Sequence, residues 1–396
     1  MVNNITREVI KGIRVNHLTV TNGSFSNVGS ADPQDVFGFD RTSQGDNGLQ
    51  GTALFQNLTL SNFYERGIDI VNEGGATLDL DIVNVNFDDN NDVSGEDAIR
   101  VQSRGSISTD VLLTSSSFNN IESDILAYFA EGSGANTVEV ASTISTNGGG
   151  PDNFPNGGGV AVIASHSATV LFDINGNDMT EVFGEMAMVV GLPGPGGSVT
   201  MSGVIENNGS VTVPNSSFNS DALDLDFDGH SSGTSSVGGN IVVNNNYFNF
   251  EDDAVGLDHR DAAGTINLTV SNNTFAGIAG DDGVTTDIDD GVFIFTDDDV
   301  SASVNQLNVE IASNTVNNIS ATKNLVEVVD VQDANKVCLD LTGTQGTGGE
   351  IELDTVNSAD LGVVQTSAAN LSSANNGFNV DNQTPGATFG VAVCIP

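Results

Sequence analysis

The sequence predicts an all-β solenoid, and three observations carry that reading. A phrase returns along the chain: an alternating apolar strand, an Asn- or Ser-rich corner, a Phe, then an acidic residue ahead of a second apolar strand. It reads LTLSNFYERGIDI from Leu58, VNVNFDDNNDVSGEDAIRV from Val83, LLTSSSFNNIESDIL from Leu112 and LTVSNNTFAGIAGDD from Leu268. The corner aromatics Phe63, Phe87, Phe118, Phe218, Phe248 and Phe275 return roughly every 24 to 31 residues where the spacing can be read, the signature of a repeat architecture. Apolar residues alternate in Thr77-Leu78-Asp79-Leu80-Asp81-Ile82, Val138-Glu139-Val140, Ile266-Asn267-Leu268-Thr269-Val270 and Leu307-Asn308-Val309-Glu310-Ile311, which turns one face inward as a strand does. Composition agrees, with 46 Gly and abundant Asn, Asp, Ser and Thr as turn formers and no segment of helical spacing.

At the start of the chain, Met1-Val2-Asn3-Asn4-Ile5-Thr6 lacks the apolar stretch of a signal peptide, and no run of about 18 apolar residues occurs anywhere. The first strand phrase begins at Gly12-Ile13-Arg14 with little ahead of it. Two readings stay open: an excised portion of a longer exported protein, or a short amphipathic cap over residues 1–11 with Val9, Ile10 and Ile13 on its apolar side. In the coils that follow, the corner Asn residues Asn62, Asn86, Asn119, Asn219, Asn246, Asn273 and Asn314 suit a bend that accepts left-handed geometry or bonds its own backbone. Stacked, they form a ladder. Since one coil cannot bury its apolar face alone, the core exists only when neighbours stack, and one elongated domain is expected. The segments 147–159 and 191–197 read as loops projecting from the coil.

Charge narrows the partners. Ten Lys and Arg against 53 Asp and Glu give a formal −43, which excludes nucleic acid and an anionic membrane surface. Carboxylates on adjacent coils stand about 4.8 Å apart and repel by roughly 0.9 kcal/mol even in water. Either ambient salt or bound divalent cations must offset that. Many acids occupy one place in the repeat, just ahead of the second strand: Glu96-Asp97-Ala98-Ile99, Asp124-Ile125-Leu126, Glu185-Met186-Ala187-Met188, Asp221-Ala222-Leu223, Asp252-Asp253-Ala254-Val255 and Asp289-Asp290-Gly291-Val292. Stacked, they predict a longitudinal acidic stripe, and calcium takes six to eight such oxygens.

The densest patches define a candidate calcium set of Asp224, Asp226, Asp228, Asp252, Asp253, Asp258, Asp281, Asp282, Asp287, Asp289 and Asp290, with Glu251 and Asp297, Asp298 and Asp299 beside them. Asp224-Leu225-Asp226-Phe227-Asp228-Gly229 matches the DxDxDG opening of a calcium loop, but its twelfth position is Ser235 where a bidentate Glu is needed. The same stretch reads as a strand with Leu223, Leu225 and Phe227 inward and the three Asp outward.

The strand-Asn-x-Phe-strand phrase, over about residues 10–345, resembles the right-handed parallel β-helix proteins of the pectin-lyase-like superfamily. That resemblance implies the fold and leaves activity open, because the superfamily holds lyases, hydrolases, phage tailspikes and non-enzymatic surface proteins. Its polygalacturonase-like members would direct attention to Asp228, His230, Asp258, His259 and Arg260, with Asp226 as a second acid, since His230 and His259 lie about one coil apart. An inverting hydrolase needs carboxyls about 6.5 to 9.5 Å apart. The family's Asn-Thr-Asp, Gly-His-Gly and Arg-Ile-Lys signatures are missing, however, and the two His fall at different strand offsets. There is no Trp and only three Tyr to stack on sugars. His17 and His166 read as structural or exposed, and Met186, Met188 and Met201 as core or near-core.

At the other end, Lys336-Val337-Cys338-Leu339-Asp340-Leu341, then Glu350-Ile351-Glu352-Leu353 and Phe389-Gly390-Val391-Ala392-Val393-Cys394, resemble the terminal segment of large secreted bacterial β-helix proteins. On that resemblance, residues 1–345 form coils, residues 346–396 cap the open end, and Cys338 pairs with Cys394. Such a bridge is worth about 3 to 4 kcal/mol in the chain-entropy account and implies an oxidising, extracytoplasmic setting; two unrelated buried thiols remain the alternative. The expectation is an acidic, calcium-stabilised structural or adhesive protein, extracellular or on a cell surface, whose partner is a surface polysaccharide or another protein chain, including itself, without membrane insertion. The alternative is a polysaccharide lyase or hydrolase.

Overall fold

The computed structural model describes residues 2–29, 34–40, 48–75, 77–90, 96–146, 158–180, 182, 184–212, 215–216, 221–229, 235–250, 252–277, 290–297, 305–317, 324–330, 336–346, 349–355, 360–391 and 394. Phe218, Asn219, His230, Glu251, Asp281, Asp282, Asp287, Asp289, Asp298 and Asp299, together with residues 147–157, lie outside them. The chain is a parallel β-solenoid, and it falls into two compact units, Met1–Met188 and Val189–Pro396.

In the first unit, one sheet stacks Val15–Val28, Leu49–Phe63, Thr77–Asn90, Ser108–Thr114, Ala135–Ala141 and Thr169–Asn175 in parallel. A second sheet stacks Ile10–Gly12, Phe37–Phe39, Ile68–Gly74, Ile99–Gly105, Leu126–Gly132 and Val160–His166. At the N-terminal end, Val2–Ile5 pairs with Phe25–Val28 and Ile10–Gly12 with Phe37–Phe39, so residues 2–5 and 10–12 are strands. In the second unit, the corresponding stacks run through Ser236–Asn244, Gly264–Ser271, Asn305–Ala312 and Lys336–Thr342, and through Leu223–Asp228, Val255–Arg260, Val292–Asp297, Asn324–Asp330 and Glu350–Thr355. Short strands Tyr247–Phe250, Thr274–Gly277 and Thr315–Asn317 add a third sheet there.

The alternation read from the sequence sets the core. Leu78, Leu80 and Ile82, Val138 and Val140, Ile266, Leu268 and Val270, and Leu307, Val309 and Ile311 are all buried. Met186 and Met201 are buried with them, while Met188 is half-buried. Phe87 and Phe118 are register partners and stack at 4.8 Å, as Phe248 and Phe275 do at 6.3 Å. Phe63 departs from this column: Leu60 stands opposite Phe87, and Phe63 stands opposite Asn90. Coil length varies because corners take insertions without disturbing register. Successive coils in the second unit span 38, 27 and 41 residues.

The corners explain the abundance of Asn. At one corner a residue of each of these coils takes a positive φ: Asn57, Asn84, Ser115 and Ser142 in the first unit, and Asn207, Asn245, Asn272 and Ser313 in the second. Short polar residues tolerate this geometry best. The next residue turns inward, and in the second unit it is Asn208, Asn246, Asn273 and Asn314, each at most 3 % exposed. These stack into a ladder. Asn273 Oδ1 accepts from the Asn246 backbone amide at 2.9 Å, and its Nδ2 donates to Val243 O at 3.0 Å and Asn314 Oδ1 at 3.1 Å. The corner residue and the ladder residue are therefore neighbours, one left-handed and one buried. Asn86 and Asn119 are strand residues in neither role.

Strand pairing continues beyond residue 346, within the segment expected to cap the solenoid. Leu361–Val363 joins Lys336–Thr342, Val380–Asn382 joins Glu350–Thr355, and Thr388–Phe389 joins Leu361–Val363. A helix, Ala368–Ala374, is inserted at a corner, capped by Ser367 Oγ accepting from the Asn370 amide and anchored by buried Leu371. Asn375 then takes the ladder position, accepting from Thr344 N and donating to Leu341 O. Cys338 and Cys394 form the expected disulfide, with Cα atoms 5.5 Å apart, tying the tail to the outer side of a first-sheet strand.

Removing a buried rung strands several partners, each costing about 1–3 kcal/mol when left unpaired. N273A should therefore destabilise the protein by about 3 kcal/mol or more in chemical denaturation. N267A removes outward-facing side-chain rungs to Asn240 and from Asn308, strands no backbone group, and should cost less than N273A.

Candidate functional site

The acidic stripe is built by the second sheet. The position two residues ahead of the register partners Ile10, Phe37, Ile68, Ile99, Leu126 and Val160, and of Leu223, Val255, Val292 and Val326, falls in one column in each unit. In the first unit that column reads Glu8, Asp35, Arg66, Asp97, Asp124, Gly158; in the second it reads Asp221, Asp253, Asp290, Asn324. The alignment read from the sequence is thus the register of the fold.

These acids have a structural task that the sequence did not reveal. The Asp253 amide donates to Asp221 Oδ1 at 3.2 Å, the Asp290 amide to Asp253 Oδ1 at 2.6 Å, and the Asn324 amide to Asp290 Oδ1 at 3.1 Å. Each carboxylate satisfies a turn amide one coil on, as short acidic side chains do in turns. The first unit repeats the device, with Asp97 accepting from the Asp124 amide and Asp124 from the Gly158 amide.

Stacking carboxylates has an electrostatic consequence. Burial, then the charges of Asp253 and Asp252, pushes Asp221 up to about 8. Burial, then a hydrogen bond to Glu327, pushes Asp290 up to about 9. In the first unit, burial and then Asp97 and Glu185 hold Asp124 well above the usual carboxylate range. The first unit sets Arg66 and Arg100 against this charge, with Arg100 bidentate to Asp69 at 2.8 and 2.9 Å. In the second unit, the neighbouring charges that raise Asp221 and Asp290 are those of other acids, Asp253 and Asp252 on the one and Glu327 and Asp253 on the other.

Among the described residues, one group of three carboxylates converges as a metal site would require: ligand oxygens of Asp221, Asp252 and Asp253 lie within 4.8 Å of one another. Asp252 and Asp253 belong to the candidate calcium set. Asp221 does not, although the stripe alignment contained it; the search followed local density of acids, and Asp221 enters from the coil before. Asp224, Asp226 and Asp228 alternate with buried Leu223, Leu225 and Phe227 and face outward along one strand. Asp226 is the register partner of Asp258, and Asp228 of Arg260. Asp290 lies in the stripe, where its carboxylate serves Asn324.

Of the five residues considered for catalysis, the four described ones do not share a face. Asp258 and Arg260 point outward, and Arg260 Nε donates to Asp258 Oδ1 at 2.7 Å while its guanidinium covers Phe295 at 4.9 Å. Burial, then Asp258, pushes the neighbouring Asp226 up to about 6. His259 points the other way, into the core between its register partners Phe227 and Thr296. It is fully buried, neither ring nitrogen has a hydrogen-bond partner, and burial lowers its pKa to about 4. His230 lies outside the described residues.

No family model, curated protein or solved structure matches the chain.

The remaining candidates are spent on structure. His17 and His166 sit at positive-φ corners, with Nδ1 bonded to Thr52 and Ser165 respectively. Tyr128 is wholly buried. A hollow of about 120 Å³ beside Tyr64 is lined by Asn27, Val28, Gly29, Asn62 and Phe63. Its Asn27 and Asn62 amides are engaged in rungs to neighbouring Asn residues.

The orphaned imidazole makes a prediction with a sign. Its folded pKa is depressed, so its neutral form supports stability above the unfolded value of 6.5, and that support is lost as pH falls towards about 4. H259L should stabilise the protein by about 1–2 kcal/mol and flatten the acid side of a melting-temperature profile between pH 6.5 and 4. An unchanged profile would place the imidazole in water.

Proposed function

We propose that this chain is a non-enzymatic structural or adhesive solenoid, part of a protein exported to the cell surface or beyond, with calcium bound by Asp221, Asp252 and Asp253. We read the coil as the right-handed, pectin-lyase-like type. The observation that carries the proposal is the use of the acids. They run from coil to coil as acceptors for backbone amides, and where they converge they offer three carboxylates to one cation. A hard cation with six to eight oxygen ligands would complete its shell with carbonyls and water, relieving the repulsion that Asp253 and Asp252 exert on Asp221. The Cys338–Cys394 bridge supports an oxidising setting. A solenoid face dressed with amides, hydroxyls and carboxylates suits a surface polysaccharide or another protein chain as partner.

The enzymatic alternative has one observation in its favour: Asp226 and Asp258 stand abreast beside Arg260, and Asp226 holds its proton to about 6. Against it, Arg260 is committed to Asp258 and Phe295, and His259 is sealed in the core.

Chelation should lower the melting temperature by several degrees, with recovery on adding calcium but not on matching ionic strength with sodium. D252N, which removes a ligand, should abolish the chelator response. An unchanged melting temperature under chelation would defeat the calcium reading. Release of unsaturated uronates or new reducing ends from marine or plant polysaccharides would defeat the non-enzymatic one.

A further inference from the structure

The charges of the first unit do not balance, and the residue left over is Asp35. It stands in the stripe between Glu8 on the coil before and Arg66 on the coil after. Asp35 is only 7 % exposed, and its Oδ1 has no hydrogen-bond partner. The backbone amide of Arg66 donates to its carboxylate. The Arg66 guanidinium is divided among four acids: Asp35 at 3.9 Å, Glu65 at 3.8 Å, Asp97 at 4.0 Å, and Glu96, which it grips most closely.

The groups facing Asp35 from each packed element are known. Glu8 and Lys11 come from the first coil, where Lys11 is mostly exposed and tied to Glu8 at 2.8 Å. Asp40 follows the strand Phe37–Phe39. Glu65, Arg66 and Asp69 come from the next coil, and Glu96, Asp97 and Arg100 from the one beyond. Arg100 is held by Asp69. Two guanidinium groups thus serve five buried or half-buried acids, and the shortest contacts leave Asp35 out.

We propose that Asp35 is a proton-operated clasp on the first coils of this unit, seating the turn and strand Phe37–Phe39 against Ile68–Gly74 when protonated and loosening that seat when ionised. The seat consists of the Val36 amide on Arg66 O at 2.8 Å and the Phe37 amide on Gly67 O at 3.1 Å. Ionisation puts a buried charge, which the Arg66 guanidinium reaches only at 3.9 Å, beside both and beside Asp69. Burial, then the Asp69 charge, raises Asp35 from 3.8 to about 7. The clasp's contribution is therefore complete below about 3.8 and lost as pH rises through about 7. It stands apart from the calcium reading, whose ligands lie in the other unit.

Amide hydrogen exchange on the full chain tests this. Protection of residues 34–39, corrected for intrinsic exchange, should fall on the order of tenfold to a hundredfold from pH 5 to pH 8, with and without chelator. A second-unit segment, Gly264–Ser271, should show no matching fall. D35N, neutral at every pH, should keep the pH 5 protection at pH 8. Protection that is flat or rises with pH in the unmodified protein, or a D35N profile that still falls, overturns the clasp. The unmodified profile decides alone if D35N does not fold. Loss of the chelator response, by contrast, bears only on calcium.

Discussion

Each coil must satisfy the backbone of its neighbour, and that constraint governs the structure. Strands do so through their parallel ladders, but corners break the ladders and leave amides and carbonyls pointing inward, where leaving them unpaired is costly. The chain answers with side chains that reach one coil along. Asn246, Asn273 and Asn314 serve one corner and Asp221, Asp253 and Asp290 the turn before the second sheet. Hydrophobic burial drives the stacking; these rungs fix its register. A slipped coil would break a rung as well as a ladder.

The same constraint makes the charge intelligible. An acid used as a coil-to-coil acceptor must recur at coil spacing, so a stack of such acids accumulates like charge at about 4.8 Å intervals. The two units handle it differently. The first interleaves Arg66 and Arg100 and leaves Asp35 as a surplus; the second runs Asp221, Asp253 and Asp290 without an interleaved cation. Proton uptake answers part of that repulsion in both units, since burial and neighbouring acids raise Asp35 in the first and Asp221 and Asp290 in the second.

Much of this was legible in the chain. Alternation identified the strands and their buried residues because inward positions must be apolar everywhere. The stripe alignment was correct because an acid serving a backbone amide keeps a fixed offset from its strand. The disulfide followed from a resemblance over the terminal segment. What was hidden depended on neighbours in space. Phe63 shares a motif with Phe87 yet sits three residues out of register, since corner length is free to vary. His259 looks polar and catalytic in Asp258-His259-Arg260-Asp261, but strand alternation turns it inward; counting from buried Leu257 would have found this. Asp221 joins Asp252 and Asp253 only across coils, and a search for local acid density passes over it. The strands at Val2–Ile5 and Ile10–Gly12 are too short and too exposed to show a pattern.

An electron-density map at high resolution tests the stacking claim most directly. It should show Ile241, Leu268 and Val309 abreast in parallel strands, the Asn246–Asn273–Asn314 ladder inside the corner, and Asp253 Oδ1 within hydrogen-bonding distance of the Asp290 amide. Antiparallel neighbours, or those Asp carboxylates turned out to water with the amides bonded elsewhere, would contradict it.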